Sequence, residues 1–555
     1  MFRSRTRRLA VLASVAVALV AVVLAGAGFA SSPLNPTPVA SANPKTPGFS
    51  QPTILSPELQ QVIWAQGSMS AENPTLDPRV KSYGYDADGT FLPLPGAVAP
   101  FEATKTEPDK NTYLVVRGIK GADPSYDYGT HFLFQGHETG APGYITRINL
   151  DADGAHRVTI LATKEAGPGG ANTGADLPNI DGSTWDPWAK RLLFTAETGT
   201  NGGVWQATLD YPSKVVDLQA FLGRGSYEGI QNDNRGNLYI AEDIGGASGT
   251  GANAKAKRPN SYLYRFLPVD AEDLTKGGKL QALQVSTTGP GAHPITWGVG
   301  LTPDQVINTP DFVGLHTYGK SFPTKWITIS TTTAASTLPG PDANALAQAA
   351  GATPFKRPEN GQFRPGSKFT EFYFDETGDT NNQTSAAASG GFGAIMKLTQ
   401  SPKTDDGSLS LLYNAPDQVR SGFDNVAFFS DNKVAFVEDA GDTLHTQRNG
   451  FDSAYLLDVN VDYSNPANQP VRFLAQGRDA SATIDSGLSG TTGFKNEGDN
   501  EITGIHVSDG DPSKDGILGA KSPAPFEGGR WRVFYTQQHG DNVTYELVRS
   551  NFRND

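Results

Sequence analysis

One pattern recurs along this chain and limits what it can fold into. A carboxylate is followed by a polar turn, an apolar strand-like run, and a second carboxylate. It is clearest in YEGIQNDNRGNLYIAED, residues 227–243, which begins on Glu228, turns at NDNRGN and ends on Glu242 and Asp243. FDNVAFFSDNKVAFVED, residues 423–439, repeats it, with Asp424 and Glu438 at the spacing of Glu228 and Glu242. Looser copies carry Asp181 and Glu197 (180–199), Glu359 with Asp375 and Glu376 (358–379), and Glu501 followed by a turn at SDGD. Earlier, THFLFQGHETG ends a strand-like run on His137 and Glu138.

Each copy reads as two strands joined by a polar turn. Between copies lie segments such as GVWQATLD, SYLYRFLP, GAIMKLTQ and SAYLLDVN, whose alternation predicts half-buried strands. A unit of about four strands used about six times predicts an all-β, six-bladed β-propeller with loop insertions between blades. ANALAQAAGA (343–352) predicts a short helix within an insertion spanning about residues 285–355. The 62 glycines and 38 prolines among 555 residues suit such a loop-rich β protein.

The other compositional limits are simple. A net charge of −13 and the absence of a basic stripe argue against a nucleic-acid partner and are compatible with cation binding. There is no cysteine, so disulfides, thiolate ligands and a cysteine nucleophile are excluded. Residues 1–30, with a basic cap, an apolar run and small residues ending at Ala30, predict a secretory signal. Ala42 is a second candidate cleavage point, and an uncleaved anchor is the alternative. Arg7-Arg8 is compatible with the twin-arginine route. An extracellular or cell-envelope protein follows, with no stable membrane insertion beyond that segment. Residues 31–60, rich in Pro, Ser and Asn, are expected to be a flexible linker, and residues 61–555 the propeller.

A propeller brings the ends of its inner strands to a central channel, so the repeated acids converge there. Such a ring repels itself unless cations are bound, and carboxylates in number suit calcium. The plainer account of any one acid is a turn decoration; recurrence at equivalent positions favours a metal site. YDADGT and DADGA share the opening of a calcium loop but lack its later glutamate and flanking helices, so they are turns. No G-x-S-x-G elbow or P-loop is present.

The blocks YEGIQNDNRGNLYIAEDIGG, KRPENGQF…EFYFDETGD, FDNVAFFSDNKVAFVEDAG and EITGIHVSDGD…VFYTQQHGDN, with FQGHETG before them, resemble the PhoX-type alkaline phosphatases in sequence and order. The resemblance covers most of residues 110–545. It implies export, a six-bladed propeller, and hydrolysis of phosphate esters at a calcium- and iron-containing centre on the channel axis. It implies metal-ligand roles among Glu138, Glu228, Glu242, Asp243, Glu359, Asp424, Glu438 and Glu501, to which the repeat adds Asp181 and Glu197. His137 and Arg357 are the candidate catalytic groups, Arg357 as a phosphate holder beside Lys356.

One departure matters. The family's iron centre uses a cysteine thiolate before a CEE-like strand end, where this chain has NIDGSTWDPWAKRLLFTAETG and retains only Glu197. Calcium is therefore the expected cofactor and iron a doubtful one. Three outcomes are open: a calcium-dominated phosphatase, an altered centre using Asp181 or His137, or a propeller without catalysis. The expected substrate is a phosphorylated small molecule, and the expected state a monomer. The alternatives are a calcium-stabilised propeller that binds a surface partner, and another propeller hydrolase of lactonase or phytase type.

Overall fold

The computed structural model describes residues 35–41, 53–67, 69–84, 106–138, 142–401, 404–440, 444, 447, 448, 450–476, 501–527, 529–538 and 542–550. The signal segment lies outside them.

Twenty-six strands form the described fold. The first two, β1 (Thr53–Leu55) and β2 (Leu59–Ala65), are used last, as outer strands of the final blades. Blade one contains β3 (Pro108–Val115), β4 (His131–His137), β5 (Tyr144–Asn149) and β6 (Val158–Ala162). Blade two contains β7 (Ser183–Asp186), β8 (Arg191–Ala196), β9 (Gly203–Ala207) and β10 (Val215–Asp217). Blade three runs β11 (Tyr227–Asn232), β12 (Leu238–Glu242), β13 (Leu263–Pro268) and β14 (Gly278–Val285). The next strand, β15 (Ser321–Thr331), bridges to blade four, made of β16 (Gly361–Phe363), β17 (Glu371–Glu376), β18 (Ala394–Gln400) and β19 (Asp406–Asn414). Blade five is β20 (Phe423–Phe428), β21 (Lys433–Glu438), β22 (Ser453–Asp458) and β23 (Val471–Gln476), completed by β1. Blade six is β24 (Glu501–Ser508), β25 (Arg532–Gln538) and β26 (Val543–Arg549), completed by β2.

This is the six-bladed propeller that the repeat predicts, with β3, β7, β11, β16, β20 and β24 innermost. Adjacent inner strands touch all the way round, so the ring is closed. The strands are more buried than their alternation implies; β12 and β20, for example, are buried throughout. Each blade is sandwiched between two others, so both faces of a central strand are covered. Apolar clusters fill the gaps, such as Phe132 and Phe134 against Leu192 and Phe194, and Tyr239 against Phe363 and Phe372.

Two expectations need correction. The linker does not extend to residue 60. Thr53–Leu55 pairs with β23, and β2 begins at Leu59. Thr37 also hydrogen-bonds Glu58, and Val39 N donates to Arg472 O. These residues supply paired outer strands, and strand edges are better covered than free. The insertion after β14 is also more than loop. It contains the predicted helix, Ala343–Ala349, and β15, which pairs with β14 on one side and β19 on the other. Blades three and four therefore share one nine-stranded sheet.

Removing residues 1–34 is expected to leave the melting temperature nearly unchanged. Removing residues 1–65 is expected to lower it by about 5 °C or more and to promote aggregation, because the edges of blades five and six are then exposed. Thermal scanning and light scattering of the two truncations check this.

Candidate metal centre and active site

The polar turns of the repeat are built locally. In blade three, Asp233 Oδ1 accepts from Arg235 N at 2.8 Å and Asn237 N at 3.0 Å, an Asx-type turn that returns the chain into β12. The acids on either side are thereby brought to the same end of the blade. In three blades the register of inner strand and neighbour shifts just beyond Pro108, Tyr227 and Phe423. The displaced residues are Asp109, Glu228 and Asp424. A β-bulge here turns an inner-strand side chain that would otherwise pack against a blade toward the channel. Two residues before Asp109, Glu359 and Asp424 stand Glu107, Arg357 and Gly422, all with left-handed φ (44°, 58° and 72°). Gly422 adopts this freely; in Glu107 and Arg357 it is strain of the kind held at functional sites. Gly229, next to Glu228, allows the blades to close up. Its N–H donates to Glu359 O at 2.7 Å, and a Cβ there would lie 2.5 Å from that oxygen.

The result is a cavity of about 120 Å³ on the channel axis. Eleven carboxylates line it: Glu107, Asp109, Glu138, Asp181, Glu197, Glu228, Asp243, Glu359, Asp424, Asp439 and Glu501. Arg357, Thr503 and Gln538 complete the wall. Three overlapping triads bring one carboxylate oxygen from each member within 4.8 Å of the others: Asp109–Asp181–Glu228, Glu197–Glu228–Asp243 and Glu228–Glu359–Asp424. Glu228 belongs to all three. At 4.8 Å and an effective dielectric of about 20, each ionised pair repels by about 3.5 kcal/mol. One fully charged triad would thus cost about 10 kcal/mol, comparable with the whole stability of a typical domain. Burial, reinforced by the neighbouring acids, pushes Glu138, Asp181, Glu197, Glu228, Glu359 and Asp424 well above the usual carboxylate range.

Two cations offset part of this charge. Arg357 makes a bidentate pair with Asp243 (Nε–Oδ1 2.8 Å, Nη2–Oδ2 2.6 Å) and reaches Glu359 at 3.5 Å. Lys110 is buried beside the ring, donates to Asn360 Oδ1 at 2.9 Å, and is drawn down to about 8 by burial. Protonation or bound cations must offset the rest of the negative charge. Both oxygens of Asp181 and Oδ2 of Asp424 are buried without a hydrogen-bond donor among the described residues. Orphaned oxygens in an all-oxygen donor set fit a hard divalent ion such as calcium.

Eight of the ten predicted ligands meet here: Glu138, Asp181, Glu197, Glu228, Asp243, Glu359, Asp424 and Glu501. Glu242 and Glu438 do not. Each is the last residue of a second strand, and successive strand residues face opposite ways. Glu242 turns into its blade, where Oε2 accepts from Tyr262 N, Tyr264 OH and Asn344 Nδ2 at 2.9–3.1 Å. Glu438 accepts from Ser421 N at 2.8 Å, Ser453 N at 3.0 Å and the Arg448 guanidinium. Their neighbours Asp243 and Asp439 face the channel instead. His137 holds the corresponding inward-turned position in blade one. Its ring bridges Thr106 Oγ1 (3.1 Å) and Thr146 Oγ1 (2.7 Å) and stacks on Tyr144, away from the cavity. It is a structural group, and of the two residues considered as substitutes for a thiolate only Asp181 reaches the centre.

The sequence reading missed Glu107, Asp109 and Asp439. Asp439 was visible beside Glu438, and the spacing to Asp243 would have selected it. Asp109 lies in PDKNTYLVV, whose partner strand begins only at His131, so the interval hides the repeat.

Glu228→Gln is expected to reduce bound metal and lower the melting temperature of the calcium-loaded protein, yet raise that of the chelated protein by relieving repulsion. Glu242→Gln should leave metal content intact, read by elemental analysis. The pH dependence has a definite sign. Groups whose folded pKa is raised contribute stability at low pH that is lost as pH rises through that pKa. Chelated protein should therefore melt higher near pH 5 than near pH 8, and calcium should reverse the order, since ligands must be ionised.

Comparison with known proteins agrees with this architecture. Residues 210–478 match the family model described as alkaline phosphatase PhoX. No curated protein matches the chain in sequence. Among solved structures, Pseudomonas fluorescens PhoX, determined in complex with vanadate as a transition-state analogue, superposes with a TM-score of 0.52 at 11% identity, covering 94% of this chain and 98% of that one. The WD40 domain of Toxoplasma gondii coronin is a far looser likeness, with a TM-score of 0.33 at 9% identity over 93% and 90% of the two chains. The matched segment and the shared fold together make this cysteine-free chain similar to the PhoX alkaline phosphatases, in sequence over residues 210–478 and in fold over most of its length.

Proposed function

We propose that this chain is an exported, calcium-dependent phosphatase that hydrolyses phosphate monoesters of small molecules at the axial carboxylate centre. The observation that carries the reading is the set of three carboxylate triads sharing Glu228, walled by a guanidinium, in a chain of a phosphatase family. The vanadate bound by the Pseudomonas fluorescens relative supports phosphoryl chemistry as the use of such a centre.

The carboxylates of the triads would hold the metal ions, whose contribution when bound is to neutralise phosphate oxygens and activate a nucleophile. Glu228 joins the three triads into one centre. Asp243 belongs to a triad and also pairs with Arg357, so it links ligand set and phosphate holder. With Nε and Nη2 held by Asp243, Arg357 keeps Nη1 of a side chain about 20% exposed for an arriving phosphoryl group. Its strained backbone is held at the carbonyl, Arg357 O accepting from Thr377 N at 2.9 Å and from Thr377 Oγ1 at 3.1 Å. The small volume of the cavity suits a phosphoryl group with its leaving group outside.

Calcium is favoured over iron because the lining offers oxygen donors only, without thiolate or imidazole. Export is supported by the basic cap and apolar run at the N-terminus, and among the described residues no helix is long and apolar enough to cross a membrane. A single propeller closed on itself by β1 and β2 supports a monomer.

Purified protein should hydrolyse p-nitrophenyl phosphate with calcium and lose that turnover in chelator. Metal-dependent stability without turnover would instead establish a non-catalytic propeller. Arg357→Lys should weaken phosphate binding about tenfold or more, since one of two charge-assisted bonds is lost. Inhibition by inorganic phosphate measures it.

A further inference from the structure

The loop that leaves the centre at Asp243 returns past it at Lys257. Its end is firmly tethered. Arg258 donates to Leu301 O (3.0 Å) and Gly298 O (2.8 Å), and its guanidinium lies 3.3 Å from the centre of the Trp297 ring. The backbone of Lys257 itself is clamped on both sides: its N–H donates to Asp379 Oδ1 at 2.9 Å, and its carbonyl accepts from Lys356 Nζ at 2.8 Å. Lys356 is the residue before Arg357, so the backbone of Lys257 is tied to the residue next to the phosphate holder.

The half-buried Lys257 side chain has Arg357, Asp379, Asp243 and Lys356 as its charged neighbours. Both acids are already engaged. Asp379 pairs with Lys356 at 2.7 Å and accepts from Thr384 Oγ1 at 2.6 Å, and Asp243 is taken by Arg357. Among the described residues the Lys257 ammonium has neither an ion pair nor a hydrogen bond. An ammonium on a tethered backbone, without a bonded partner and next to a guanidinium, is an arrangement that binds an anion.

We infer that Lys257 is a second phosphate-binding side chain, which grips the substrate's phosphoryl oxygens alongside Arg357. The inference rests on the phosphatase reading above and adds to it a residue from the insertion between β12 and β13. A charge-assisted bond of this kind corresponds to about tenfold in affinity.

Lys257→Ala is therefore expected to raise KM for p-nitrophenyl phosphate and the inhibition constant for inorganic phosphate about tenfold each, with the loss concentrated in KM and calcium content preserved. Lys257→Arg should recover most of the loss. Calorimetric titration of the calcium-loaded proteins with orthovanadate gives the same comparison without turnover. If the wild type is active and Lys257→Ala binds phosphate and vanadate within twofold of it, the inference is overturned and the phosphatase reading stands. If the wild type binds vanadate but does not turn over, the phosphatase reading fails, and weakened binding in Lys257→Ala still supports the anion site. A wild type that neither turns over nor binds vanadate overturns both.

Discussion

Everything about this molecule is organised around the mutual repulsion of carboxylates held on one axis. Asp109, Asp181, Glu197, Asp243, Glu359 and Asp424 all come within 4.8 Å of Glu228 through the three triads. In the ionised state each such triad is worth about as much unfavourable energy as a domain has stability to spend. Protonation or bound cations must remove most of that charge, and Lys110 and Arg357 remove only a small part. Metal affinity and folding are for this reason a single free-energy balance.

The propeller is suited to hold such a site because its acids come from the channel ends of the inner and second strands of all six blades, and each blade is fixed by two neighbours. The register breaks at Asp109, Glu228 and Asp424, and the left-handed residues Glu107 and Arg357, are local departures from regular strand geometry. They concentrate at the channel mouth, where the side chains have to leave the blade and face the axis. A second set of carboxylates, Glu242, Glu376 and Glu438, turns the other way. These accept backbone or histidine hydrogens inside their blades, Glu376 from Lys356 N and His316 Nε2. One acid at the end of the second strand thus ties the blade together, and the next serves the centre.

The lack of cysteine limits which donors the axial centre of this chain can offer. With no sulfur, and with His137 committed to Thr106 and Thr146, the donors that face the cavity are oxygens. Asp181 brings two buried oxygens without a hydrogen-bond donor among the described residues to that cavity. A donor set of oxygens alone is a hard one, suited to hard cations, and the guanidinium of Arg357 stands beside it.

The repeat of acid, turn, strand and acid, written in local residue order, determined the all-β class, the six blades, the channel and eight of the ligand candidates. Turn chemistry such as that of Asp233 acts over four or five residues, so it is legible without a fold. Tertiary structure decided which of two adjacent acids faces the channel. A side chain changes face at every residue of a strand, and a bulge inverts the order without leaving a mark in the sequence. That is why Glu438 was chosen where Asp439 was needed, why His137 turned out to be structural, and why Asp109 was missed. The closure of blades five and six by β1 and β2, and the bridging of blades three and four by β15, were likewise settled by pairing between distant segments, where no local spacing records which strand edge is left to be covered.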